Sequence, residues 1–242
     1  NLPSIVLDSL IADVNGKTTN TKLAAYGWDA NYYHDTIFDQ NITWNNNGKP
    51  YVIVGYLGVT QGATLTINSG VSVYASAQTS IYIGGSLNIK GTATDRVKIL
   101  GDKPTWAPQF LPNQWRGIHF VVGSTNNKIQ FADITNATIG IRVDSLPVNG
   151  QNNLTLQNTR VQYCGQACLL GITAHIDATN CLFADAGSYT FLGLLGGKYA
   201  FNHCTFGEYS GIASRTDGHF AITNTLRNGN GVLLKHTSLD CQ

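Results

Sequence analysis

Apolar and polar residues alternate along most of this chain in short runs that are separated by Asn, Gly and other turn residues. The run HIDATNCLF (175–183) is written again further along the chain as KYAFNHCTF (198–206). Alternation with a period of two is the pattern of a β-strand with one buried face. The repeated figure therefore predicts pairs of short strands and no helix.

Further copies of the figure make it periodic. NLTLQNTRV (153–161) precedes the first copy and HFAITNTLR (219–227) follows the second at nearly the same spacing, and KIQFADITN (128–136) is a looser copy upstream. The sixth position of the five copies holds Asp133, Asn158, Asn180, His203 and Asn224. Because Asn readily adopts a left-handed backbone, this column predicts a bend between two strands.

The N-terminal half repeats with a matching period, since GATLTINSG (62–70) is followed by the similar GGSLNIKGT (84–92). A repeat of about 22 residues made only of strands and bends is typical of a β-solenoid. We therefore expect an all-β fold, a right-handed, single-stranded parallel β-helix of roughly eight coils and on the order of 40 Å long. Equivalent residues should stack, with Phe183 on Phe206 and Cys181 on Cys204.

Composition narrows the possible partners. The formal net charge is only +1 and the lysines and arginines are not clustered, which argues against binding to nucleic acid or to an anionic membrane surface. No apolar run is long enough to span a membrane. The odd number of cysteines, five, is not that of a disulfide framework, so we expect free thiols.

Several stretches resemble one family of β-helix proteins. They are AYGWDANYY (25–33), ITWNNNGKPYVIVGYLGVTQGATLTINSGVSVY (42–74), GSLNIKGTATDRVKILGD (85–102), QWRGIHF (114–120) and IGIRVDSLPVNG (139–150). Together they resemble an uncharacterised group of secreted or lipid-anchored right-handed β-helix proteins from Bacteroidetes. The resemblance implies a parallel β-helix at the outer-membrane surface or in the medium, with any signal segment or lipid anchor upstream. It carries no known reaction.

The two ends of the chain differ from the repeat. Residues 1–45 do not follow the period, and their two apolar runs around an Asn-Gly pair predict a hairpin of an N-terminal β cap or the remnant of a β-sandwich. Residues 46–242 are assigned to the β-helix. Leu239 and Cys241 alternate as if another coil were starting, so we expect the helix to be truncated at its C-terminal end.

Many β-helix proteins act on polysaccharides through recognisable catalytic motifs. The Asp-Asp pair and Gly-His-Gly element of galacturonases are absent, as is the Arg-x-Pro-x-x-Arg element of pectate lyases. Asp185 and Glu208 occupy equivalent positions in consecutive coils, and stacked carboxylates could serve as the acid pair of a glycoside hydrolase or lyase. The alternative is that both are ordinary acidic residues on solvated turns.

Two sets of residues are candidates for ligand binding. One is an outward column with a basic character that comprises Lys128, Asn153, His175, Lys198 and His219, and that could instead be a solvated polar face. The other is the irregular segment 101–115, in which aromatic rings could stack on sugars or else cover the helix; its rings are Trp106, Phe110 and Trp115. No metal or cofactor is expected, because His175 and His219 are two coils apart and no zinc-type spacing occurs.

The sequence thus favours a non-catalytic extracellular or cell-surface β-helix module that contacts polysaccharide or another cell-surface glycan. One alternative is a polysaccharide lyase or glycoside hydrolase that uses Asp185 and Glu208. Another is a structural stalk of a larger surface protein.

Overall fold

The computed structural model describes residues 4–27, 29–103, 110–144, 151–209, 218–223, 225–227, 233–235 and 240–241. All elements in this part of the chain are β-strands. Those of the first half are β1 (Ser4–Val14), β2 (Lys17–Gly27), β3 (Asn31–Phe38), β4 (Ile42–Trp44), β5 (Tyr51–Val59), β6 (Thr64–Asn68), β7 (Ser72–Ala75), β8 (Ser80–Ile83), β9 (Ser86–Lys90), β10 (Val97–Gly101) and β11 (Gly117–Phe120).

The remaining strands continue the same series. They are β12 (Asn127–Gln130), β13 (Ala132–Thr135), β14 (Ile139–Val143), β15 (Leu154–Gln157), β16 (Arg160–Cys164), β17 (Ala167–Ile172), β18 (His175–Thr179), β19 (Leu182–Ala186), β20 (Tyr189–Leu194), β21 (Lys198–Asn202), β22 (Thr205–Gly207), β23 (Phe220–Thr223), β24 (Thr225–Arg227), β25 (Leu233–Lys235) and β26 (Asp240–Cys241).

Three strands make one turn of a parallel β-solenoid, as in β6–β7–β8 and again in β9–β10–β11. The first strand of each turn joins an 8-stranded sheet in the order β26-β21-β18-β15-β12-β9-β6-β4. The other two join a 14-stranded sheet in the order β22-β19-β16-β13-β10-β7-β5-β8-β11-β14-β17-β20-β23, with β3 paired to β5. The predicted parallel β-helix is confirmed, with about seven turns of about 23 residues each.

Register between turns follows from burial of the apolar positions. One interior column, formed by six consecutive strands in direct register, consists of Val73, Ile99, Ile134, Val161, Phe183 and Phe206. Its first five members are fully buried. A slip of one residue would turn every one of these side chains to solvent, so the register is strongly specified. The rings of Phe183 and Phe206 stack at 5.2 Å, as the repeat predicts.

The bend between the first and second strands of a turn has a left-handed residue. Asn158, Asn180 and His203 have φ of 52°, 53° and 53°, and the Asn180 amide donates a hydrogen bond to the Asn158 side-chain oxygen. Phe131 takes this position one turn earlier, with φ of 47°, and Asn224 lies outside the described residues. The predicted bend is confirmed at Asn158, Asn180 and His203, but in the looser copy Phe131 takes it instead of the predicted Asp133.

A hairpin precedes the solenoid. β1 and β2 pair antiparallel around Asn15 and Gly16, whose φ angles of 55° and 76° are those of a two-residue hairpin turn. The Asp13 carboxylate accepts a hydrogen bond from the Gly16 amide at 3.1 Å. Parallel pairing begins at β3, which lies beside β5; the division at residue 46 between an N-terminal cap and the β-helix stays a prediction.

Two copies of the repeat lie in a different register from the one that the sequence pattern predicts. Lys128 lies in register with Thr155, not with Asn153, because Phe131 occupies the bend that the sequence pattern gave to Asp133. Phe220 lies beside Phe191 in the 14-stranded sheet, not beside the first strand of the preceding turn. β23 completes the turn that β21 began, and alternation alone does not reveal which sheet a strand enters.

Candidate functional site

A groove of about 470 Å³ runs along the outer surface of β16, β19 and β22, beside the left-handed bends. Its lining includes Arg96, Phe131, Asn158, Arg160, Asn180, His203, Thr205 and Tyr209. Because Arg160, Leu182 and Thr205 lie in register on consecutive strands, the groove crosses several turns. Backbone stacking thus brings polar and apolar residues that are far apart in sequence into one continuous surface.

Arg96 holds one side of the groove together. Its guanidinium donates to both carboxylate oxygens of Asp133 at 2.9 and 3.0 Å and to the carbonyls of Ala132 and Asn158 at 2.8 Å. Only 16% of the Arg96 side chain is exposed. These bonds tie the turns of β10, β13 and β16 to one another, so Arg96 is committed to the structure of the groove wall.

Arg160 differs from Arg96 in its exposure. Its side chain is 54% exposed, and its Nε lies 3.8 Å from the Asp133 carboxylate, beyond ordinary hydrogen-bond distance. An exposed, loosely paired guanidinium retains donors for a ligand. Arg160 is therefore able to contact a molecule in the groove without breaking a strong internal bond.

Tyr209 is the more exposed of two aromatic residues that line the groove, the other being Phe131. Tyr209 is 66% exposed, and its ring lies over the outer surface of β22, where a Cβ added to Gly207 would be 3.3 Å from it. Glycine at 207 therefore leaves room for the ring to lie against the strand. A flat, exposed ring beside amides and a guanidinium has the composition of a sugar-binding surface.

Asp185, the first residue of the predicted acid pair, is only 6% exposed and has φ of 58°. Its Oδ1 accepts the backbone N–H of Tyr209 at 2.8 Å, and its Oδ2 accepts the Gln162 amide at 3.3 Å. Both oxygens thus bind groups that position neighbouring turns. Glu208 is half-buried and follows Gly207, the partner of Ala184 in the register; a catalytic role for the two remains a prediction.

The two described rings of the predicted aromatic segment lie in different environments. Trp115 is 1% exposed and its indole donates to the Thr135 carbonyl at 2.8 Å, so it is a core residue and not a ligand platform. Phe110 is 46% exposed and packs edge-on against Tyr163, with ring centroids 5.1 Å apart. Burial raises the pKa of Tyr163, to which the Asp185 charge also contributes. Trp106 lies outside the described residues.

The predicted basic column is reduced to a pair. His175 and Lys198 are half-buried neighbours in register, whereas Lys128 and His219 belong to other columns. Asn153, their neighbour one turn earlier, is buried, and its side chain accepts the His175 backbone N–H at 2.8 Å. Amides at this corner therefore cap a neighbouring turn, a function that the sequence pattern did not reveal.

The cysteines of the described core are free thiols, as predicted for Cys164, Cys168, Cys181 and Cys204. Cys181 and Cys204 interact, as their stacking predicts. The hydrogen bond from Cys181, which outweighs the effect of burial, lowers the pKa of Cys204 to about 7, while the same contact and burial raise the pKa of Cys181.

Fold and surface together define a parallel β-helix with a groove of mixed polar and apolar lining along its outside. Residues 36–171 match the pectate-lyase-like β-helix domain family, which is more than half of the 242 residues, and the chain belongs to that family. No curated protein and no solved structure matches the chain.

Two further observations concern the described residues alone. None of their elements is a helix long and apolar enough to cross a membrane. Among the same residues, no group of three or more His, Cys, Asp or Glu side chains is placed to hold a metal ion.

Proposed function

We propose that this β-helix is a non-catalytic extracellular or cell-surface module that binds polysaccharide in the groove beside the left-handed bends. The observation that carries the proposal is that the exposed Tyr209 ring, the exposed Arg160 guanidinium and the bend amides line one groove. Aromatic rings bind the apolar faces of sugars, and planar polar side chains bind their hydroxyl groups. Family membership supports polysaccharide as the ligand class.

The shape of the groove favours a chain over a single sugar. It follows the stacking direction of the turns, so the polar bend residues Asn158, Asn180 and His203 follow one another about 4.8 Å apart. A polymer of similar units can contact several turns at once, and each contact adds to the affinity. The extracellular or cell-surface location is part of the proposal and is supported by the resemblance to secreted and lipid-anchored β-helix proteins.

Binding without catalysis is favoured by the contacts of Asp185. A carboxylate whose two oxygens already accept hydrogen bonds from Tyr209 and Gln162 is committed to holding the turns together. A general acid or nucleophile must instead reach the scissile bond. A lyase or hydrolase would therefore have to move Asp185 out of these bonds, which makes the enzyme the weaker proposal.

Affinity electrophoresis tests the proposed binding. The wild-type chain would be run through gels containing neutral or acidic polysaccharides, such as xylan, glucomannan, polygalacturonate or alginate, and its retardation compared with that in an empty gel. We expect at least one polymer to retard the protein. Tyr209→Ala should weaken the retardation by a factor of about 2–10, the loss of one stacking contact, and keeps the backbone N–H that Asp185 accepts.

A matched control is Tyr32→Ala, which removes a tyrosine of similar exposure, 59%, from β3 at the other end of the solenoid. It should leave retardation unchanged. Equal weakening by both substitutions would place the binding elsewhere, and no retardation by any polymer would favour the structural stalk. Release of reducing or unsaturated sugars that depends on Asp185 would favour the enzyme.

A further inference from the structure

A second depression lies on the outer surface of β8, β11 and β14, which belong to the other arm of the 14-stranded sheet. Its volume is about 320 Å³, and its polar lining includes Ser80, Tyr82, Arg116, His119, Thr138 and Arg142. This pocket shares no residue with the groove. It is therefore a separate candidate site.

Three of its side chains form an outward column. Tyr82, His119 and Arg142 are in direct register on consecutive strands, while the alternating positions Ile118 and Ile141 are fully buried. The rings of Tyr82 and His119 lie 5.7 Å apart. Register thus places an aromatic ring, an imidazole and a guanidinium side by side along one wall.

Asp144 fixes two members of this column. Its carboxylate bonds His119 Nε2 at 2.8 Å and accepts Arg142 Nε at 2.8 Å, with Arg142 Nη2 at 2.6 Å. Burial alone would raise the pKa of Asp144, but these hydrogen bonds lower it to about 2. The charge of Arg142 is therefore compensated, and both side chains are held in place before any ligand arrives.

Arg116 is the member of the pocket whose charge is not compensated. Its side chain is exposed, and within the part of the chain that the structure describes no acidic side chain lies within salt-bridge distance of it. Its backbone is nevertheless fixed, since its N–H bonds the Thr79 carbonyl at 2.8 Å and its carbonyl accepts Ile139 N–H. A rigid backbone thus carries an exposed guanidinium whose charge no described carboxylate neutralises, which leaves donors for a ligand.

The floor of the pocket requires glycine. Gly117 has φ of +123°, and an added Cβ would lie 1.7 Å from the Ile139 carbonyl oxygen, a separation that no side chain tolerates. Gly117 is itself buried, so backbone packed closely against the Ile139 carbonyl closes the floor between Arg116 and His119.

We propose that this pocket binds the oxyanion of a small polyhydroxylated ligand, with Arg116 as its ion-pairing partner. A guanidinium presents a planar fork that matches carboxylate and sulfate oxygens. Tyr82 and His119 form the wall for the carbon skeleton, and the hydroxyls of Ser80 and Thr138 are donors for the remaining oxygens. A volume near the lower limit of ligand pockets, about 300 Å³, suits one small molecule or one unit of a chain.

Isothermal titration at low ionic strength tests the proposal with three probes, namely glucuronate, glucose 6-sulfate and glucose. We expect one or both anionic sugars to bind and neutral glucose not to bind, and the anion that binds identifies the carboxylate or the sulfate as the preferred group. Arg116→Ala should weaken anion binding at least tenfold, roughly the loss of one charge-assisted hydrogen bond. Arg116→Lys should bind with intermediate affinity, because it keeps the charge and loses the fork.

The control is Lys90→Ala, which removes an exposed positive charge from the end of β9 and should leave binding unchanged. Equal binding of glucose and the anions, unchanged affinity in Arg116→Ala, or no binding of either anion would overturn the proposal. These outcomes are independent of the polysaccharide gels, since the two sites share no residue. Failure of one proposal is therefore distinguishable from failure of the other.

Discussion

The groove and the pocket lie on opposite arms of the same 14-stranded sheet, and each combines an arginine bonded within the fold with an exposed one. In the groove, Arg96 is almost covered and bonds Asp133 and two carbonyls, while Arg160 stays exposed at the rim. In the pocket, Arg142 is tied to Asp144, while Arg116 is exposed. The groove is open along several turns, and the pocket is confined to the surface of β8, β11 and β14.

The difference between bonded and exposed arginines defines two classes of residue on the solenoid surface. Side chains committed to hydrogen bonds between turns should affect stability when replaced, and exposed side chains beside them should affect binding. Because equivalent positions stack, the two classes lie within a few ångströms of each other. Substitutions at neighbouring residues should therefore give opposite phenotypes.

The largest loss of stability is expected beneath the pocket. Trp115→Ala removes a fully buried indole and leaves the Thr135 carbonyl without its donor, which should lower the free energy of unfolding by about 3–5 kcal/mol. Denaturant unfolding measures the change. Trp115→Phe, which keeps most of the packing, should lose much less, and an equal loss in both variants would contradict a packing role.

A smaller loss is expected in the groove wall. Arg96→Ala leaves Asp133 and two carbonyls without their donor and should lower the free energy of unfolding by about 2–3 kcal/mol. Arg160→Ala removes only a loose, exposed pair and should change it by less than about 1 kcal/mol. Comparable losses of stability in the two variants would contradict the distinction between arginines that are bonded within the fold and arginines that are exposed.

A pH-dependent term is expected from Asp144. The pKa of its carboxyl in the folded state is about 2, below the ordinary value of 3.8, so its ionised form stabilises the fold above about pH 4. That contribution, about 2 kcal/mol, is lost as the pH falls through 2. The stability gap between wild type and Asp144→Asn should narrow over this range, and a constant gap would contradict the assignment.

The smallest expected effect concerns the reactivity of cysteine and not the stability of the fold. Cys204, whose pKa is lowered to about 7 by its hydrogen bond with Cys181 against the effect of burial, should be alkylated by iodoacetamide with a midpoint near that pH. Cys168, fully buried, should remain unlabelled in the folded protein. Peptide mass mapping distinguishes the two sites, and equal labelling would indicate that the core opens.

Periodicity was sufficient to predict the fold because burial makes register obligatory. The stacking of Phe183 on Phe206 and the left-handed Asn158 and Asn180 follow directly from the repeat. The sequence does not predict Phe131 at a bend, since phenylalanine has no preference for a left-handed backbone. Phe220 was assigned to the wrong sheet, because any strand with one buried face shows the same alternation.

The candidate sites were harder to predict than the fold. Trp115 is an aromatic residue of the kind that binds sugars, but it lies in the core. The sequence does not reveal whether a tryptophan in an irregular segment turns inward. Arg116 follows Trp115 directly, but the sequence does not identify it as a binding residue. An exposed arginine becomes a candidate only when its spatial neighbours are known. Tyr82, which lies well upstream in the sequence, becomes part of the same pocket only through the pairing of β8 with β11.

The dependence of affinity on oligosaccharide length tests most directly the claim that stacked turns form one continuous binding groove. Oligosaccharides of increasing length, cut from the polymer that retards the protein most, would be titrated against the wild-type chain. The affinity should rise with length until the sugar spans β13 to β22, about 14 Å, and then level off. Equal affinity for a monosaccharide and for the longest oligomer would contradict the account.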